Sequence, residues 1–223
     1  MVRHELATMS STDLAASDVK AMLLLVAERI IAAEPHLSEA DRNLGDGDHG
    51  LGMQRGLTAA REKLMAFPDD GSVTIDKLFS TVGMAMMSSM GGASGAIFGT
   101  LFRDGGKALV GREAFGAAEL AIFLRAACDG VMSRGKAQPG DKTMVDALHP
   151  AAAAAEAAAG GPLTEAMAAV VVAAEAGKEA SKAMVAVFGR ARSLGEGAIG
   201  FPDAGAMSVT VILEAMRDFV AAR

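Results

Sequence analysis

The first clear pattern along the chain is a stripe of Leu23, Leu24, Val26, Ile30 and Ile31 at helical spacing. It lies in a helix predicted over residues 12–33, with Thr12-Asp13 as its N-cap region and Pro35 as its stop. A short helical run over 38–43 leads into Gly45-Asp46-Gly47-Asp48-His49-Gly50. Long helices are then predicted over 50–67, 74–90, 93–110, 117–133, 142–159 and 162–187, with a last one over 206–222. Between them stand glycine- and proline-rich breaks such as Pro68-Asp69-Asp70-Gly71, Gly91-Gly92 and Gly160-Gly161-Pro162. Pro162 suits the first turn of the helix it opens. There is no convincing strand alternation. Eight long helices with short connections make antiparallel neighbours, so the expected fold is all-α, an eight-helix antiparallel up-and-down bundle or barrel.

Composition supports this. About a fifth of the 223 residues are alanine, 15 are methionine and only 4% are aromatic; alanine and methionine form helices well, whereas strands favour aromatic and β-branched residues. Ala151 to Ala159, almost pure alanine, reads as a packed or half-exposed helix rather than a linker. Met84, Met86, Met87 and Met90 read as adaptable core filling. The 26 glycines exceed what helix interiors usually hold, so they are expected chiefly in loops. The length suits a single domain, 1–223, with residues 1–10 as a flexible tail. A lone cysteine, Cys128, excludes a disulfide framework and a cysteine-ligated zinc site. A net charge of −6 with neither Trp nor Tyr argues against nucleic-acid binding. The N-terminus has no apolar signal core, and the longest apolar stretch, 166–174, is far too short for a membrane span. A cytoplasmic location is expected.

Glycine and acidic residues converge in five stretches at predicted helix ends. In the first, Asp41, Asp46 and Asp48 lie within eight residues of one another. Glycines let that backbone turn tightly. A hard cation such as Mg²⁺ takes a few carboxylates and keeps positions for water and phosphate. The spacing fails the EF-hand pattern. A solvated turn in which Asp46 or Asp48 caps the next helix fits the same residues. His49 opens that helix and suits either ordinary surface or a place beside an anion. The second stretch, Gly91-Gly92-Ala93-Ser94-Gly95, suits either a phosphate at a helix N-terminus or a close helix crossing. It is neither a Walker A loop nor a Rossmann fingerprint. The third and fourth are Gly135 and Gly140-Asp141-Lys142-Thr143-Met144, where Asp141 is a candidate N-cap. The fifth runs from Gly189-Arg190 to Asp203-Ala204-Gly205. Arg190 there could bind phosphate or form a surface ion pair.

Together these stretches, with Phe98-Gly99-Thr100, Ser133-Arg134-Gly135-Lys136-Ala137, Leu194-Gly195-Glu196 and Ile199-Gly200, resemble the nucleotide-binding subunit L of dihydroxyacetone kinases, in order and over nearly the whole chain. The resemblance implies an eight-helix barrel binding ADP or ATP at one end through two Mg²⁺ ions held by Asp41, Asp46 and Asp48. It places nucleotide contacts at His49, Gly50, Leu51, Gly52, Ala93, Ser94, Gly135, Met144, Arg190, Asp203, Ala204 and Gly205. Arg190 is the candidate catalytic residue, neutralising charge during phosphoryl transfer. In the family the acceptor ketone sits on a separate subunit or domain, K, as a covalent adduct with a histidine, so a K partner in trans is expected. Three positions depart from the family pattern: Gly52 replaces a frequent Asn, Ala204 the proline of Asp-Pro-Gly, and Phe188 a common basic residue.

The leading expectation is a phosphotransferase subunit for dihydroxyacetone. Its donor is either ATP that exchanges or ADP rephosphorylated in place by a sugar phosphotransferase-system protein. Alternatives are a four-carbon (erythrulose-type) ketose kinase subunit, a nucleotide-binding regulatory protein that engages a transcription factor, and a barrel holding an internal lipid.

Overall fold

The computed structural model describes residues 13–223. The tail predicted over 1–10, and Thr12, lie outside these residues. Nine α-helices are present among the described residues: α1 (Ala16–Ala32), α2 (Glu34–Arg42), α3 (His49–Met65), α4 (Ile75–Ser89), α5 (Gly92–Lys107), α6 (Ala117–Gly135), α7 (Val145–Ala158), α8 (Leu163–Ala180) and α9 (Ala204–Ala221). From α3 onward each helix packs along the next; α9 returns to α1, and α1 meets α3. The eight long helices thereby close a ring, and α2 packs against α3 and α9. An even number of helices lets the up-and-down alternation close. Asp18 and Arg29 of α1 pair with Arg223 and Asp218 in reverse order, as antiparallel neighbours must. The fold is all-α, as the helical periodicity and composition predict.

The helix limits depart from expectation where tertiary pairing overrides local pattern. α1 starts at Ala16 and not at Thr12-Asp13, because Leu14 is drawn into an extended pair with Phe115; each N–H donates to the other's carbonyl at 3.0 and 2.9 Å. Pro35 does more than stop α1, since it stands in the first turn of α2. The helix predicted over 162–187 ends at Ala180. The chain leaves it through a 3₁₀ turn, Ser181–Ala183, whose groups bond other loops: the Ser181 carbonyl takes Lys142, and the Ser181 hydroxyl takes the Asp203 N–H.

Inside the ring, Leu23, Val26, Met53, Phe79, Leu120 and Leu148 are among the side chains buried to 1% exposure or less. The alanine run is a half-exposed stretch of α7, with Ala151, Ala152 and Ala155 fully enclosed and Ala153 and Ala157 facing solvent. Of the four clustered methionines, Met86 and Met90 fill core; Met84 instead faces solvent at 56% exposure, because it falls on the outer side of α4.

Glycines are not confined to loops. Gly83, Gly99, Gly105, Gly106, Gly130 and Gly177 lie within helices. A Cβ on Gly83 would stand 2.6 Å from the Gly99 carbonyl oxygen, and one on Gly99 would stand 2.7 Å from that of Gly83. The α4–α5 crossing is therefore backbone to backbone. Close packing offsets the roughly 1 kcal/mol by which glycine disfavours a helix. α7 and α8 repeat the device: Pro150 has no N–H for the Asp146 carbonyl, and Gly177 packs against it.

A candidate nucleotide and metal site at one end of the barrel

The connections after α2, α4, α6 and α8 gather at one end and enclose a cavity of about 640 Å³. The N-termini of α3, α5, α7 and α9 open onto it. Unpaired first-turn N–H groups and aligned peptide dipoles make such ends attractive to anions. Four converge here.

The acidic loop forms one wall. Gly45 donates to the Asp41 carbonyl at 2.6 Å, and Gly47 turns the chain with φ +76°. Asp41 also accepts the His49 N–H at 3.2 Å, tying the loop to α3. Asp41, Asp46 and Asp48 each bring one carboxylate oxygen within 4.8 Å of the others. Asp48 precedes α3, yet its side chain does not cap it, nor is an Asp46 cap bond present. An all-oxygen donor set of this kind fits a hard divalent cation. The Arg190 guanidinium reaches over from the opposite loop, 2.7 Å from Asp46 and 4.0 Å from Asp48.

His49 is buried, with its Nε2 2.8 Å from the Ser208 hydroxyl and its ring 5.8 Å from that of Phe98. Burial lowers its pKa against the opposing pull of Asp41 and Asp48, which favours a neutral ring. Gly52, Ala93, Ser94, Met144, Asp203, Ala204 and Gly205 also line the cavity. Asp203 accepts the Ala206 N–H at 2.8 Å and so caps α9. Burial pushes its carboxyl up to about 7; Asp146 adds to the rise, while the Ala206 N–H and Lys142 oppose it.

Three expected contact residues stand off the cavity. Gly50 faces α2, where a Cβ would lie 2.7 Å from the Ser38 nitrogen, so its smallness serves helix packing. Leu51 points outward at 46% exposure. Gly135 ends α6 behind Ile97.

Sequence reasoning passed over two cationic residues in the lining. Arg55 stands three residues after Gly52 on α3, exposed where it lines the cavity, and donates to the Met90 carbonyl at 3.1 Å, holding the end of α4. Its spacing of three from Gly52 was the available clue. Lys142 lies in the stretch whose residues suggest Asp141 as the cap. In fact Asp146 organises that turn, accepting from Gly140 and Thr143 at 2.6 and 2.7 Å, while Asp141 accepts from Gln138.

An all-helical barrel with an anion- and cation-suited cavity at one rim defines the class. The DAK2 domain matches residues 43–218, and the chain belongs to that family. It is 40% identical to the Escherichia coli (strain K12) protein described as "PEP-dependent dihydroxyacetone kinase, ADP-binding subunit DhaL", over 80% of this chain and 85% of that one. It is 36% identical to the L-erythrulose kinase of Pectobacterium atrosepticum over 91% of this chain, but spans 34% of that protein. The fold matches a dihydroxyacetone kinase from C. freundii crystallised with AMP-PNP and Mg²⁺. That likeness has a TM-score of 0.69 at 24% identity and covers 98% of this chain and 36% of that one.

Proposed function

We propose that this chain is the nucleotide-binding subunit of a ketose kinase, a phosphotransferase that carries ADP or ATP and supplies the phosphoryl group to dihydroxyacetone held on a separate K subunit. The observation that carries this reading is the meeting of four helix N-termini with Asp41, Asp46 and Asp48 in one cavity. Kinship with a protein described as an ADP-binding kinase subunit supports it. The chain, 1–223, acts as one nucleotide-binding domain.

Asp41, Asp46 and Asp48 would hold two Mg²⁺ ions. Bound Mg²⁺ supplies charge neutralisation and a fixed geometry for the phosphates. The glycine-rich start of α5, with Ala93 and Ser94, offers backbone N–H groups to phosphate oxygens. Gly52, Met144 and residues 203–205 shape the remaining wall, and buried His49 supports it through Ser208. Arg190 is placed to neutralise charge as the phosphoryl group leaves. In the cavity lining, Asp203 is bound up in capping α9, and no other group stands ready as a base for an acceptor hydroxyl; the K subunit therefore supplies that chemistry. The donor is a phosphotransferase-system protein rephosphorylating bound ADP, or ATP by exchange.

Erythrulose is the second acceptor reading, favoured by the 36% identity to an erythrulose kinase. An internal lipid has less support, because side chains fill the barrel interior.

The test is reconstitution. With a cognate K subunit and either ATP or the phosphotransferase proteins, dihydroxyacetone phosphate should form; neither subunit alone should turn over. Efficient turnover by the isolated chain, or none in any reconstituted mixture, would refute the reading.

A further inference from the structure

Lys142 is an ammonium-bearing residue with 2% exposure. Its Nζ donates to two backbone carbonyls, Ser181 and Phe201, each at 2.6 Å. These carbonyls flank a loop, 182–200, whose ends are also joined by Gly200 N–H to the Lys182 carbonyl at 2.8 Å. Just beyond it, the Asp203 N–H bonds the Ser181 hydroxyl at 3.0 Å. Val187 ties the loop to Asp141 at 3.1 Å. Arg190 stands inside this loop and Asp203 at its exit.

The barrel contains a second buried lysine for comparison. Lys20, 6% exposed, donates to the Phe67 carbonyl at 2.6 Å and to the Asp69 carboxylate at 2.5 Å, so its charge is neutralised. Lys142 has only neutral carbonyls as hydrogen-bond partners. Asp203 and Asp146 act on it electrostatically, against a desolvation that lowers its pKa. Its backbone is in the left-handed region, φ +58°, which is uncommon outside glycine. Burying a charge is weak evidence for stability, since an apolar side chain often serves as well. A strained backbone at a cavity wall points to a task there.

We infer that Lys142 is a positioning residue: its ammonium closes the neck of the 182–200 loop and thereby sets Arg190 against the carboxylates and Asp203 at the head of α9. The catalytic part of this inference rests on the proposed kinase function; the structural part does not.

Hydrogen exchange tests the structural part. In the wild-type chain the neck amides of Val187, Gly200 and Asp203 should exchange far more slowly than those over 191–197. Lys142→Met should release the whole 184–202 segment while α1 to α6 keep their protection. Lys142→Arg should restore much of it. Neck amides as fast as the loop's centre, or a segment unchanged by Lys142→Met, would overturn the inference. The wild-type comparison and Lys142→Arg decide the matter even if Lys142→Met does not fold.

Turnover with a K subunit tests the catalytic part. Lys142→Met should cost about a hundredfold, the scale of an ångström of misplacement. It should cost little more in an Arg190→Ala background, whereas Lys20→Met should leave turnover near wild type. Losses from Lys142→Met and Arg190→Ala that simply multiply would show that Lys142 does not act through Arg190. If wild type itself shows no turnover, the kinase reading falls and hydrogen exchange still judges Lys142.

Discussion

The two ends of this barrel are built from the same helices and opposite materials. At the closed end Phe79, Phe102, Phe115 and Phe123 form one cluster, with Phe79 and Phe123 centroids 4.4 Å apart. The Leu14–Phe115 pair and the Lys20–Asp69 bridge seal it. At the open end the loops carry Gly47, Gly91, Gly92, Gly140, Gly189 and Gly200 at positive φ. There Asp41, Asp46, Asp48, Asp203, Arg55, Lys142 and Arg190 face one cavity. The contrast teaches that the closed end supplies stability through buried aromatic surface, while the open end gathers charged side chains and helix N-termini around one cavity.

If that division holds, the ends should respond differently to substitution. The largest effect on folding belongs to the closed end. Phe123→Ala, at a residue 1% exposed, should lower unfolding free energy by about 3–5 kcal/mol. ADP affinity, measured by calorimetry where the variant remains folded, should be unchanged. A matching loss of affinity would break the comparison.

A smaller, pH-dependent effect belongs to the open end. The Asp203 carboxyl rises from its ordinary 3.8 to about 7, so the folded chain holds a proton that the unfolded chain releases. Its favourable contribution is full below about pH 4 and is lost as pH climbs through about 7. Asp203→Asn keeps an acceptor for the Ala206 N–H and does not titrate. Urea melts of the two proteins should therefore diverge across that window, with wild type losing stability relative to the variant as pH rises. Parallel curves would show that the Asp203 carboxyl is not raised in the folded chain.

Much of this architecture is legible in the residues. Period, caps and breakers locate the nine α-helices of the described residues because helix formation is local, and Pro162 and Gly160-Gly161 mark their break directly. The limits at Leu14 and Ala180 are not local. They are set by Phe115 and by Lys142, each about a hundred or about forty residues away in sequence. Helical glycines such as Gly83 and Gly99 were unreadable for the same reason, since only the crossing partner explains them. At the cavity, the aspartates and glycine turns stand out by composition. Gly50, Leu51 and Gly135 share the motifs but face elsewhere, and a motif carries no direction. Arg55 and Lys142 carry no such signal, because ordinary helical and capping patterns account for them in one dimension.

On the proposed function, the open end binds nucleotide through its three carboxylates, apart from what holds the fold together. Calorimetric titration of ADP with Mg²⁺ into wild type, Asp46→Asn and Asp48→Asn, with helicity followed by circular dichroism, tests it most directly. Wild type should bind, and both variants should lose Mg²⁺-dependent binding while keeping full helicity, because each removes an anionic oxygen from a site with few. Unchanged affinity in both variants would contradict the account.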